Sequence, residues 1–316
     1  MKSFKLPGND KPLSQIIMGT MIIGLNNYKE SSELLDNAMR LGINSFDIAY
    51  VYGGGDSERA VGKWMEERKN REKVFIITKG AHPDSSGSKV NPAGITADLT
   101  ESLNRLRTGY IDAYLLHRDD INQPVGSIID ILNEHLKAGK IRAFGGSNWT
   151  HERIAEANAY AVANGLTPMT VSSPNYGLCE QVEDPWGPGC VTISGQIGAA
   201  GREFYKKTDM PVFAYSSLGR GMLSGRVTRE NYKELLDGAA LKAYAHEVNF
   251  SRLDRARELA NQKGVSVPQI ALAYLLHQPL KVFPIVGAAG EKELAETVAA
   301  ADIILTEQEC LWLENS

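Results

Sequence analysis

The chain has 316 residues, 43% of them hydrophobic, with 34 Lys+Arg against 38 Asp+Glu and a formal net charge of −4. That is enough apolar material for a large core, and so small an acid excess gives no broad attraction for nucleic acid or anionic membrane. Three cysteines without metal-site spacing, no signal-like apolar core in MKSFKLPGNDKPL and no window near ~18 apolar residues predict a soluble cytoplasmic protein, folded as a single domain over residues 1–316.

The opening FKLPGNDKPLS carries Pro-Gly and Asn-Asp turn signals and predicts a short β-hairpin ahead of the main fold. QIIMG (15–19) reads as a buried strand, and SSELLDNAMRLG (31–42) as a helix with apolar residues at helical spacing and a glycine stop. The cycle then repeats: NSFD and SERAVGKWMEER, VFIITK and TADLTESLNRLR, IDAYLLH and SIIDILNEHLKAGK, IRAFGGS and ERIAEANAYAVANG. MTVSS, a helix over 196–207, PVFAYSS, helices over 252–263 and 267–277, KVFPIVG and EKELAETVAAA complete about eight strand–helix alternations. That count predicts an α/β fold of the (β/α)8 TIM-barrel kind. An open doubly wound sheet shares the alternation, but no GxGxxG follows the first strand. Two connections, 179–194 and 218–249, are too long for turns and predict walls or lids at the carboxyl face.

Four polar residues stand at or just beyond the ends of these runs: Asp47 after residues 43–46, Tyr52 in AYVYG, Lys79 at the end of VFIITK and His117 at the end of IDAYLLH. Strand carboxyl ends are where a parallel barrel builds its active site. A phenol, an ammonium, a carboxylate and an imidazole form a proton-transfer set. A tyrosine of ordinary pKa, ~10, is a poor acid near neutrality, and a neighbouring ammonium lowers that value. Lys79 beside Tyr52, held and kept charged by Asp47, would do this, while His117 bonds a substrate oxygen. Taken singly, each residue reads as well as a loop aromatic, a surface ion pair, a core histidine or a turn cap; it is the complementary set at three strand ends that points to carbonyl chemistry.

With FDIAYVYGGGDSE, ITKG, IDAYLLHRDD, FGGSNW, AYSSLGRGMLSGR and FPIVGAAGEKELAET in this order, the chain resembles the aldo-keto reductase superfamily over nearly its whole length. The resemblance implies a (β/α)8 barrel, NAD(P)H-dependent reduction of an aldehyde or ketone, and tetrad roles for Asp47, Tyr52, Lys79 and His117, with Tyr52 the general acid. It also implies a cofactor groove. Thr20 and Asp47 belong near the nicotinamide ribose, and Ser147, Asn148 and Ser173 near the carboxamide, Ser173 standing where the family commonly has Gln. Ser216, Ser217, Leu218, Arg220 and Arg226 belong to the pyrophosphate loop, and Gly287, Ala289, Glu293 and Glu296 to the adenosine end. NADP is the family's usual cofactor and is the expectation here, weakly over NAD, because acidic Glu293 opposes a 2′-phosphate and only Lys292 nearby offsets it. Met21, Tyr50, Trp149 and Trp186 are candidate pocket walls, Trp149 foremost.

Two other classes share some of these features. The potassium-channel β subunits resemble the same superfamily, so a cofactor-binding regulatory protein with little turnover is the main alternative. A metal-dependent hydrolase on the same barrel would use Asp47, His82, His117 and Asp119, but only one of its histidines clearly ends a strand. The reading carried forward is a reductase with a small-molecule carbonyl substrate, no resident metal, and no nucleic-acid or membrane partner.

Overall fold

The structure is a computed structural model and describes residues 2–315. An antiparallel hairpin, β1 (Ser3–Leu6) and β2 (Asn9–Ser14), precedes eight short strands. These are β3 (Ile17–Gly19), β4 (Ser45–Asp47), β5 (Phe75–Gly80), β6 (Ala113–Leu116), β7 (Phe144–Ser147), β8 (Val171–Ser173), β9 (Val212–Ala214) and β10 (Val282–Val286). They form a closed barrel in the order β10-β3-β4-β5-β6-β7-β8-β9. Apart from the last residue of β3, every residue of these strands is buried, which is why they read as unbroken apolar runs rather than alternating ones.

The helices are α1 (Tyr28–Arg40), α2 (Asp56–Arg68), α3 (Pro92–Leu106), α4 (Val125–Lys137), α5 (His151–Ala163), α6 (Ala199–Thr208), α7 (Tyr232–Leu235), α8 (Gly238–Tyr244), α9 (Glu247–Lys263), α10 (Val267–Leu276), α11 (Glu291–Ala299) and α12 (Glu307–Glu314). None among the described residues is long and apolar enough to cross a membrane. Local chemistry starts several of them. Asn91 accepts a hydrogen bond from Gly94 N ahead of α3, which begins with Pro92, and Thr150 accepts one from Arg153 N ahead of α5.

By contacts the chain falls into two compact units, each with its own internal packing. One comprises Lys2–Ser173 with the short segment Gly287–Glu291, and so holds the hairpin and β3 to β8. The other comprises Pro174–Val286 with the segment from Lys292 onward, and holds β9 and β10.

Three expectations change in detail. The connection over 218–249 is not bare loop: it contains α7 and α8, the latter capped by Asp237, which accepts from Ala240 N. α9 starts at Glu247, five residues before its expected start. α12 was not anticipated, although Thr306 and Glu309 form a capping box, a start signal that the sequence does carry.

Candidate active site

The first unit contains the whole expected tetrad. β4 ends on Asp47, and the chain then runs beside β5 for a few residues: Ile48 N donates to Ile77 O at 2.8 Å and Tyr50 N to Lys79 O at 2.8 Å. It turns back sharply through Gly53, Gly54 and Gly55, with φ of 58°, 63° and 89°. Three successive left-handed residues are tolerable only without a Cβ, which accounts for the GGG run between Tyr52 and α2. Lys79 is the fifth residue of β5, 2% exposed. His117 follows β6 directly and extends its ladder, its N donating to Gly80 O at 2.8 Å.

The side chains converge. Lys79 Nζ lies 2.6 Å from Asp47 Oδ1 and donates to Asp47 Oδ2 at 2.7 Å, to Ile48 O at 3.1 Å and to the Tyr52 hydroxyl at 3.2 Å. The Tyr52 and His117 rings meet edge to face, centroids 6.0 Å apart, and His117 meets His82 in the same way at 5.0 Å. Burial weighs most on every member. It holds the Asp47 carboxyl above its ordinary range, with Lys79 pulling the other way. It pushes the Lys79 ammonium down, but Asp47 and Tyr52 more than offset that and leave it raised. It keeps the Tyr52 phenol above its ordinary value, opposed by Lys79. The expected lowering by Lys79 is thus present, but desolvation outweighs it, so Tyr52 is protonated at neutral pH. Burial also takes His117 well below its ordinary range, helped by the charge of Lys79, so its ring is neutral.

The backbone around the site is unusual. Ala81, next after β5, has φ 56°, and Asn148, next after β7, has φ 59°; in the other unit, Ser216, two residues after β9, has φ 52°. Non-glycine residues at positive φ cost energy and gather at functional sites. Asn148 also braces the tetrad, its Nδ2 donating to His117 O at 3.2 Å, while Ser147 Oγ donates to Ser173 O at 2.9 Å. Thr20 is wholly buried, its hydroxyl donating to Asp47 O at 3.0 Å and lying 2.8 Å from Ser57 Oγ.

In the second unit, Ser217 Oγ donates to Ile285 O at 2.7 Å, and Leu218 leads into the turn Gly219–Gly221. Arg220 pairs with Asp237 at 2.5 Å and lies over the Trp186 ring, 5.0 Å from its centroid, whereas the Arg226 side chain is exposed. Glu296 lies in α11, its backbone carbonyl accepting from Gln269 Nε2. Lys292 and Glu293 are exposed, as are Gly287 and Ala289 in the short segment of the first unit.

One expected pocket wall fails. Trp149 is 0% exposed, its indole N–H donates to Arg118 O at 3.1 Å, and it packs so closely on Gly146 that a Cβ there would fall 2.5 Å from its Cγ. Its ring is closed off from solvent rather than standing free to line an open pocket. Met21, by contrast, is 61% exposed, and Trp186 leans on Tyr215 with centroids 6.1 Å apart. Of the hydrolase set, Asp47 is taken up by Lys79, and Asp119 by Arg153 at 3.2 Å. No three metal-ligating side chains converge among the described residues.

The sequence profile of the aldo/keto reductase family matches residues 15–314. The chain belongs to the aldo/keto reductase family. It is 28% identical to norsolorinic acid reductase A of Aspergillus parasiticus, over 96% of this chain and 78% of that one. It is 31% identical to the aldo-keto reductase YhdN of Bacillus subtilis, over 84% of this chain and 78% of that one. The structure of a thermostable aldo-keto reductase, Tm1743, in complex with the inhibitor epalrestat superposes with a TM-score of 0.75 at 24% identity, covering 99% of each chain, and so shares the fold. As an aldo/keto reductase, the protein falls among oxidoreductases that act on small carbonyl substrates and generally bind nicotinamide cofactors.

Residues that sequence reasoning missed lie behind the tetrad. Arg105 of α3 donates from Nη1 to Tyr50 O at 3.0 Å and reaches Glu58 Oε2 at 3.3 Å. Asp98 of α3 accepts from Ala81 N at 2.8 Å and pairs with Lys89. His82 was weighed only as a metal ligand.

Proposed function

We propose that this aldo/keto reductase reduces an aldehyde or ketone to an alcohol with NAD(P)H, Tyr52 being the proton donor. The observation that carries the reading is the Lys79 ammonium, 3.2 Å from the Tyr52 hydroxyl and fixed by both oxygens of Asp47. A bound reduced nicotinamide would supply the hydride that the carbonyl carbon accepts. Tyr52 Oη gives its proton to the carbonyl oxygen as that oxygen gains charge, and the phenolate left behind faces the ammonium of Lys79. This is charge stabilisation by a group already in place. Neutral His117 offers the same oxygen a hydrogen bond. Asp47 serves by keeping Lys79 charged and aimed.

The donor set suits a dinucleotide. Ser147, Asn148 and Ser173 surround the left-handed turn after β7 and are assigned to the nicotinamide carboxamide, with Thr20 and Asp47 to its ribose. Ser216, Ser217 and Leu218, with Arg220 and Arg226, offer backbone donors and guanidinium groups for phosphate oxygens. Gly287, Ala289, Glu293 and Glu296 are assigned to the adenosine. NADPH is the assigned nucleotide, and NADH the alternative that titration of protein fluorescence with each distinguishes.

The test is direct. Wild-type protein should oxidise NADPH when given a reactive aromatic aldehyde, with no added metal. Tyr52→Phe should keep its nucleotide affinity and lose about 10²–10⁴-fold in turnover, the usual contribution of a positioned general acid. Undiminished turnover in that variant refutes the assigned acid.

A further inference from the structure

His82 stands beside the tetrad with no part in the chemistry above. Its ring meets that of His117 edge to face at 5.0 Å, and His117 in turn meets Tyr52 at 6.0 Å. The His117 ring thus touches both Tyr52 and His82, and His82 is half-buried. A substrate whose carbonyl oxygen lies between Tyr52 and His117 has its next few atoms within reach of His82.

The orientation of His82 is fixed from both sides. Its Nδ1 lies 2.8 Å from Pro83 O. A carbonyl oxygen only accepts, so Nδ1 carries the hydrogen. With that hydrogen on Nδ1, the ring in its neutral form has a lone pair at Nε2 and accepts there. Behind it, Ala81 sits at φ 56°, a conformation an alanine adopts only under constraint. The constraint is Asp98, 1% exposed, which accepts from Ala81 N at 2.8 Å through Oδ2 and binds the Lys89 ammonium through Oδ1. One buried carboxylate thus fastens both ends of the loop that bears His82. Strain held in place next to a reactive centre is a mark of a preorganised site.

We propose that His82 is a specificity-determining residue whose Nε2 accepts a hydrogen bond from a substrate hydroxyl, so that the enzyme prefers carbonyl compounds bearing a free O–H a few bonds from the carbonyl. This rests on the reductase reading above and goes beyond it by naming the substrate class. A site that hydrogen-bonds a hydroxyl discriminates strongly against an analogue unable to donate, because a buried polar group is then left unpaired.

The experiment uses five aldehydes: benzaldehyde, its 3- and 4-hydroxy derivatives, and the two matching methoxy derivatives, which keep the oxygen but lose its hydrogen. The wild type should favour the hydroxy over the methoxy compound in kcat/KM by about 10-fold or more at one ring position. His82→Phe, which keeps a ring of similar size against His117, should bring that ratio towards one. His82→Gln, whose amide oxygen can accept in place of Nε2, should restore part of it. No preference in the wild type, or an equal preference in His82→Phe, overturns the proposal while leaving the reductase intact. Failure to turn over any of these aldehydes with either nucleotide removes the reductase reading and this inference with it.

Discussion

At the scale of single residues the centre of the site is a buried ion pair. Asp47 is 3% exposed and Lys79 2%, so each is tolerated because of the other. Removing one partner of such a pair strands a charge in the interior, at about 3–5 kcal/mol, whereas removing both is far cheaper. Lys79→Met should therefore lose stability on that scale in urea unfolding. The double variant Asp47→Asn/Lys79→Met should regain most of it. Neither should recover turnover, because the phenol of Tyr52, already raised by burial, has lost the cation that opposes that rise. A double variant both stable and active would show that Lys79 matters for folding alone. These four residues were legible in the chain because strand ends in a parallel barrel share one rim, so polar residues closing successive apolar runs converge whatever their separation in sequence. Trp149 misled for the same reason: it follows a strand end, but its side chain is wholly buried.

At the scale of elements, the segment bearing Tyr52 is held by helices that carry no catalytic group. Arg105 on α3 donates to Tyr50 O, lies 4.3 Å over the Tyr50 ring and reaches Glu58 on α2, a carboxylate with no exposed surface. Gly55 presses against the same guanidinium: a Cβ there would fall 2.3 Å from Arg105 Nη1. Arg105 is thus a positioning residue for the 48–55 segment. Its other carboxylate partner, Glu101, is on its own helix and partly exposed. Arg105→Ala should lower kcat by about 10- to 100-fold, the order expected when a catalytic group shifts by about an ångström, with nucleotide affinity kept. Glu101→Ala should cost much less. Equal losses in the two variants would make Arg105 an ordinary helix ion pair. None of this was readable beforehand. Arg105 and Tyr50 are 55 residues apart, and a contact between a helix and a loop leaves no periodicity in sequence, unlike the apolar runs of β5 or the Asn91 cap of α3.

At the scale of the whole molecule, the barrel was legible because its parallel strands are buried on both faces, and such strands stand out as short unbroken apolar runs. The partition into two compact units was not, since it depends on packing between distant segments rather than on any linker composition. Packing also decides how stability responds to pH. Two histidines are pushed below their ordinary range: His117, chiefly by burial and then by Lys79, and His135 of α4, chiefly by burial and then by Lys140. His135 is 6% exposed, with Nε2 2.9 Å from Thr96 Oγ1. A depressed histidine favours the neutral ring in the folded state, so its contribution is complete above the unfolded-state pKa of ~6.5. As pH falls below that value the unfolded chain takes up protons that the native state refuses, and stability declines. Each such histidine contributes a slope of up to about 1.4 kcal/mol per pH unit. Urea unfolding at pH 7.5, 6.5 and 5.5 should show a small loss of stability between the first two and a steeper one between the last two, before most carboxylates titrate. His135→Gln keeps a polar group opposite Thr96 and removes one of the two titrating rings, so its decline should be shallower than that of the wild type. An identical slope in the variant would place the acid sensitivity elsewhere than His135.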